Sequence, residues 1–198
     1  MTAGSDQFII FGLIKITHMK KNVLVFGLIS GLVVSTVMSI SMLTINNNPE
    51  IELGNTSMIV GYLSMLVAFS LIYVAVKNFR DKQNNGVISF GKAFGMGLLI
   101  ALIGSTIYVI AWAFIYNVYM PDFMDKYWAQ MQKAAQASGS ATEIQETTAE
   151  MVKYKELYKN PFFFTLITYA EIFPVGLLVS LITALILKRK NKPKVEAV

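Results

Sequence analysis

The chain contains no cysteine, which excludes disulfide bridges, thiolate metal sites and a cysteine nucleophile. It contains one histidine, His18, so neither a multi-histidine metal site nor a histidine-based triad can be built within one chain. Charge is scarce too. Charged residues make up 15% of the 198 residues, against 55% hydrophobic. Four stretches are almost free of it: Val23–Ile45, Met58–Val76, Ala93–Tyr116 and Phe162–Leu187. Across all four, Glu171 is the one acidic or basic residue.

Those stretches hold 23, 19, 24 and 26 residues. A helix rises about 1.5 Å per residue and a hydrocarbon core is about 30 Å thick, so each stretch is long enough to cross a bilayer. The expected fold is all-α: an integral membrane bundle of four transmembrane helices, with the lipid bilayer as its solvent.

The flanking charges orient the bundle. Lys15, Lys20 and Lys21 precede the first span. Lys77, Arg80, Lys82 and Lys92 separate the second from the third, and Lys188, Arg189, Lys190, Lys192 and Lys194 follow the fourth. Twelve of the 17 basic residues thus fall on one side, while the first loop carries Glu50 and Glu52 and no base. Cytoplasmic loops are enriched in Lys and Arg, so both termini are expected in the cytoplasm. The basic tail, residues 191–198, reads as an anchor against anionic headgroups rather than a nucleic-acid contact.

The chain divides into an extension, residues 1–18, a single membrane domain, residues 19–190, and the tail. Phe8–Ile16 is apolar but too short to span, and Met19-Lys20-Lys21-Asn22 has the form of a start ahead of a first membrane helix. We expect translation to begin at Met19. The alternative is an interfacial helix presenting Phe8, Ile9, Phe11 and Leu13 to the membrane surface. Asn46–Pro49 ends the first span, and Asn85-Gly86 marks a turn in the basic loop, with Phe79 and Phe90 expected at the interface.

Residues 117–160 are the one long polar region, expected as an extracytoplasmic helical hairpin between helices 3 and 4. Pro121 suits a first helical turn. Phe123, Met124, Tyr127, Trp128, Met131 and Ala135 repeat at three- and four-residue steps. Ser138-Gly139-Ser140 breaks that stripe. Thr142 and Gln145 have capping-box spacing. Ile144, Thr148, Met151, Tyr154 and Tyr158 form a second stripe, and Asn160-Pro161 caps the fourth span.

Small residues recur four apart: Gly27, Gly31, Ser35 and Ser39; Ala93, Gly97, Ala101 and Ser105; Gly176, Ser180 and Ala184. In lipid such ladders allow close helix approach, and packing within the bundle is the favoured reading. Glu171 needs a separate account. A charge near the bilayer centre costs about 3 kcal/mol by insertion scales, so such groups are expected to face the bundle interior with partners. Pro174, three residues on, frees the Ala170 carbonyl and is expected to kink the helix. Glu171 lies about 14 Å below the outer end of its helix at helical rise. Counting the same depth along the other spans reaches Thr36, Ser64, Ser105, Thr106 and Tyr108, with Thr168 one turn before Glu171. The expectation is a buried hydrogen-bond cluster of these seven residues.

Catalysis is not expected: no second intramembrane carboxylate, no base near the serines, and no phosphate loop or metal motif occurs, so no catalytic, cofactor or metal residues are assigned. The expected function is that of a non-catalytic scaffold or accessory protein. The alternative is a small proton-linked transporter or channel using Glu171, with a second copy or another membrane protein as partner.

Several segments carry a family resemblance: Met-Lys-Lys at 19–21 with Gly27 and Gly31, Gly-Val-Ile-Ser-Phe-Gly-Lys-Ala-Phe at 86–94, Tyr-Met-Pro-Asp-Phe-Met at 119–124, Tyr-Lys-Asn-Pro at 158–161 and Glu-Ile-Phe-Pro-Val-Gly-Leu at 171–177. Over residues 19–190 the chain resembles the bacterial membrane-protein family termed domain of unknown function 4199. The resemblance implies four spans in a bacterial cytoplasmic (inner) membrane and no particular activity. Residues 1–18 depart from its pattern.

Overall fold

The structure, a computed structural model, describes residues 3–48 and 55–189. Glu50, Glu52 and the tail beyond Arg189 lie outside the described residues, so the acidic first loop and the basic tail have no structural account. Six helices follow one another: α1 (Ala3–Asn47), α2 (Asn55–Asn78), α3 (Phe90–Val118), α4 (Phe123–Ser138), α5 (Ala141–Lys159) and α6 (Pro161–Leu187). Four segments are long and apolar enough to cross a membrane: Met19–Asn47, Met58–Gln83, Phe90–Val118 and Pro161–Leu187. They contain the four nearly uncharged stretches of the sequence, and the start of the first and the end of the second run on by a turn or more.

The four long helices form a ring in the order α1, α3, α6, α2, so α1 and α6 face each other across it. Glycine sets the spacing. A Cβ built on Gly31 would lie 2.7 Å from the Ile107 side chain and 3.1 Å from the Gly104 backbone, and one on Gly27 would lie 2.9 Å from Ile103. Thus the first ladder meets Ile103, Gly104 and Ile107 of α3. The ladder of α3 itself turns to α6: a Cβ on Gly97 would lie 2.8 Å from Ser180, and one on Gly176 would lie 2.7 Å from the Ala101 Cβ. In lipid, where burial of apolar surface gains little, such contact is what holds helices together.

Phe69 of α2 fills the space that glycines leave on two neighbours. Its ring reaches within 3.1 Å of a Cβ built on Gly104 and 3.2 Å of one on Gly176. Ile72, Ile100 and Ile172 are fully buried beside it. Met65 and Ala68 precede Phe69 on the buried face of α2, and Ile72, Ala75, Val76 and Phe79 continue it; no residue from Met58 to Ser64 is buried.

A π-helical turn, Phe79–Gln83, extends α2, and Asn85 (φ 54°) and Gly86 (φ 75°) reverse the chain in left-handed conformation. Phe79 is not at the interface as expected. It is fully buried, with the Lys92 ammonium 4.8 Å over its ring, because the π turn directs it inward; Phe90 is the exposed one of the pair. The loop then clasps the end of α6. Ile88 N–H donates to the Arg189 carbonyl at 3.0 Å, Arg189 N–H donates back at 2.8 Å, and the Arg80 guanidinium donates to the Leu187 carbonyl at 3.4 Å. Helix C-termini leave carbonyls without partners, and these donors supply some.

At the opposite end, α4 and α5 pack on each other. Lys155 pairs with Asp125, and the Trp128 and Tyr154 rings lie 6.0 Å apart. Gly139 (φ 71°) ends α4. Two local expectations shift. The N-cap of α5 is Ser140, whose hydroxyl accepts from Glu143 N–H, rather than Thr142; Ser140 to Glu143 has the same three-residue capping spacing two positions earlier. Pro121 precedes α4 in a turn instead of opening it. Asn160 and Pro161 start α6 as anticipated, Asn160 Oδ1 accepting from Phe162 N–H at 2.9 Å.

Candidate functional site

The buried face of α6 runs Phe164, Thr168, Ile172, Gly176, Ser180 and Ala184, a four-residue stripe set by contact with α3 and α2. Glu171 falls one residue off that stripe, and its side chain is exposed. Among the described residues it makes no hydrogen bond or ion pair. The expectation of a buried, hydrogen-bonded Glu171 is therefore corrected: counting residues gives depth along a helix but not direction around it, and the stripe that packs is centred on its neighbours.

The other six members scatter for the same reason. Thr36 is exposed, and Ser64 is half-buried, its hydroxyl donating to the Gly61 carbonyl at 2.7 Å. Thr168 is buried and donates to the Phe164 carbonyl of its own helix at 2.9 Å. Ser105 is fully buried with its hydroxyl unpartnered among the described residues. Thr106 donates to the Leu102 carbonyl at 2.7 Å, so its oxygen accepts from the Tyr169 hydroxyl, also at 2.7 Å. A hydroxyl that bonds back to its own helix satisfies itself without a neighbour. Pro174 sits inside α6, which continues unbroken to Leu187.

One part of the expected constellation does gather near Glu171. Tyr108 is buried, and Glu171 lies within electrostatic reach of its hydroxyl, as do Tyr158 of α5 and Tyr62 of α2. Burial, and next to it the Glu171 carboxyl, push the Tyr158 phenol above the ordinary tyrosine range. Burial first, and more weakly Glu150, Tyr154 and Glu171, act on Tyr127 in the same direction. The carboxyl thus lies within electrostatic reach of phenols from three other helices, Tyr108 of α3, Tyr127 of α4 and Tyr158 of α5.

Above it lies an aromatic layer. Trp112, Tyr116, Phe123, Tyr127, Tyr158 and Phe164 form a continuous chain of ring contacts with centroids 5.1–6.4 Å apart. Edge-on and tilted geometries dominate, as the ring quadrupole prefers. This layer joins α3, α4, α5 and α6, and Lys126 ties α4 to the end of α1 through Asn46 Oδ1 at 3.0 Å. Sequence reading named Tyr127 and Tyr158 as stripe residues but missed their nearness to Glu171, and it missed Tyr169 and Phe69. A tyrosine just ahead of Asn160-Pro161 was the available signal: it must lie over the first turns of α6.

Among the described residues no group of three or more His, Asp or Glu side chains could hold a metal. The arrangement can place a proton or a negative charge at Glu171, beside hydroxyl donors and open to what lies against the bundle.

No curated protein and no solved structure matches the chain. A family model does, across residues 25–189, which takes in most of the first span, all of the other three and the α4–α5 region. This multi-pass membrane protein belongs to the family described as protein of unknown function (DUF4199).

Proposed function

We propose that this protein is a non-catalytic accessory or scaffold protein of a bacterial cytoplasmic membrane, with both termini cytoplasmic and α4 and α5 as an extracytoplasmic hairpin. The closed interior carries this reading. Phe69 fills the centre of the ring against Gly104 and Gly176, and the buried Thr168 and Ser180 hydroxyls bond back to their own helix. The exposed Glu171 supports contact with a partner inside the membrane, either a second copy or another membrane protein, since an uncovered carboxylate in hydrocarbon costs about 3 kcal/mol.

The absence of cysteine makes the test direct. Single cysteines at Ser105, Thr106, Thr168 and Val175 are treated with a membrane-impermeant thiol reagent from each side. Uniform protection is the expected result, and labelling at two or more positions would transfer the assignment to transport. One observation favours that second reading, a proton-linked transporter or channel working as an oligomer: Glu171 is exposed, so a pathway between copies would have a titratable group on its wall. Glu171→Gln separates the two. It abolishes proton-coupled flux in reconstituted vesicles if the transport reading holds, and on the accessory reading it alters only the association of the protein with its partner.

A further inference from the structure

At the loop end, away from Glu171, a cavity of about 310 Å³ opens on the flank of α2. It is lined by Tyr73, Val74, Lys77, Asn78, Asp81 and Lys82. Three features of its wall point to a ligand. First, the π turn Phe79–Gln83 puts Lys82 on the same flank as Lys77, five residues earlier; the 3.6 residues per turn of an α-helix would carry Lys82 well round the cylinder. Fully buried Phe79 anchors that turn. Second, the cavity's acid is already engaged: Asp81 accepts from Arg80 at 2.6 and 3.1 Å. Neither Lys77 nor Lys82 has an ion-pair partner among the described residues, and Lys77 lies 5.9 Å over the Tyr73 ring. Third, the upper wall is apolar and faces outward, with Val74 exposed beside Tyr73. Two ammonium groups outside any ion pair among the described residues, a phenol and an apolar lip at the end of a membrane-crossing segment match a phosphate attached to an acyl chain.

We propose that this cavity binds the phosphodiester headgroup of an anionic phospholipid, Lys77 and Lys82 holding the phosphate and the acyl chain lying along Val74. The assignment is independent of the function proposed for Glu171.

The test uses the full-length protein in detergent, with lipid retention read by native mass spectrometry. Phosphatidylglycerol is retained over phosphatidylcholine by about thirtyfold, the scale set by two lysines near a headgroup. K77Q/K82Q loses that preference, while K20Q/K21Q, which removes the same charge at the same end from exposed positions of α1, keeps it. Lys77 and Lys82 are both exposed, so the substitutions leave the core untouched; K82Q alone gives a partial loss and serves as a second check. Equal retention of the two lipids by the wild type, or equal loss in both double variants, overturns the site. Displacement of the lipid by millimolar inorganic phosphate would make the ligand a free anion and overturn the lipid assignment.

Discussion

The two ends of this bundle are built on different rules. At the loop end the helices touch through glycine, each helix buries a full stripe, and backbone hydrogen bonds lock the α2–α3 loop to the last turn of α6. At the α4/α5 end, α2 buries nothing over two turns, contact passes through rings, and a carboxyl faces outward. The loop end has little room to change. The other end carries Glu171 and the phenols near it, whereas the charged groups of the loop end, Lys77 and Lys82 among them, stand on its surface. Fold and candidate site therefore occupy opposite ends of the same helices, and substitutions should separate them.

The largest effect is expected at the seam between the ends. Phe69→Ala opens a cavity between Gly104 and Gly176 and should cost about 3–5 kcal/mol, measured as a fall in the unfolding midpoint in mixed micelles. Gly176→Val should follow at about 1–3 kcal/mol, since even a Cβ there sits 2.7 Å from Ala101. Tyr169→Phe removes one interhelical hydrogen bond and should cost about 0.6 kcal/mol, the usual scale within a membrane. Glu171→Gln should change stability by less than about 0.5 kcal/mol, because the side chain is exposed and unbonded. A loss as large as that of Phe69→Ala would erase the distinction between the ends.

A pH experiment sharpens the contrast. Tyr158 and Tyr127 have folded-state pKa values raised by burial and nearby carboxylates, so the stability they contribute is fully present below the ordinary tyrosine pKa, about 10. It is lost as pH rises from there through the higher folded value, since the unfolded chain sheds those protons first. Alkaline pH should therefore loosen the α4/α5 end first. Both tryptophans, Trp112 and Trp128, lie in or beside the aromatic layer, so intrinsic fluorescence reports on that end. Its alkaline transition should move in Tyr158→Phe and should stay in place in Gly97→Ala.

Much of the fold was legible in the sequence because membrane spans follow from length and charge alone. The amphipathic stripes of α4 and α5 and the turns at Asn85-Gly86, Gly139 and Asn160-Pro161 were legible too. Two things were not. The ladders showed that helices touch, but not that the ladder beginning at Gly27 meets Gly104 rather than the ladder containing Gly97. Which helix neighbours which is decided by the ring order, and a one-dimensional pattern does not carry that. The polar layer failed on direction: Thr36 and Glu171 are both exposed on the outside of the bundle. The π turn was likewise invisible, since Phe79-Arg-Asp-Lys-Gln reads as the end of an ordinary span, and it altered the places of both Phe79 and Lys82.

The clasp between Ile88 and Arg189 has a consequence for how the molecule is made. Arg80 and the Leu187 carbonyl it reaches are 107 residues apart, so this closure waits until α3 to α6 have all left the ribosome. Until α6 has entered the bilayer, the loop after α2 has no partner for its strand-like segment and α3 lacks the neighbour that its ladder fits. Domains complete themselves in the order of synthesis, and here the final helix both fills the ring and fastens its far end. A nascent chain halted before Leu187 would present an open, clasp-free bundle, a form that membrane quality control could distinguish from the finished protein by that one missing joint.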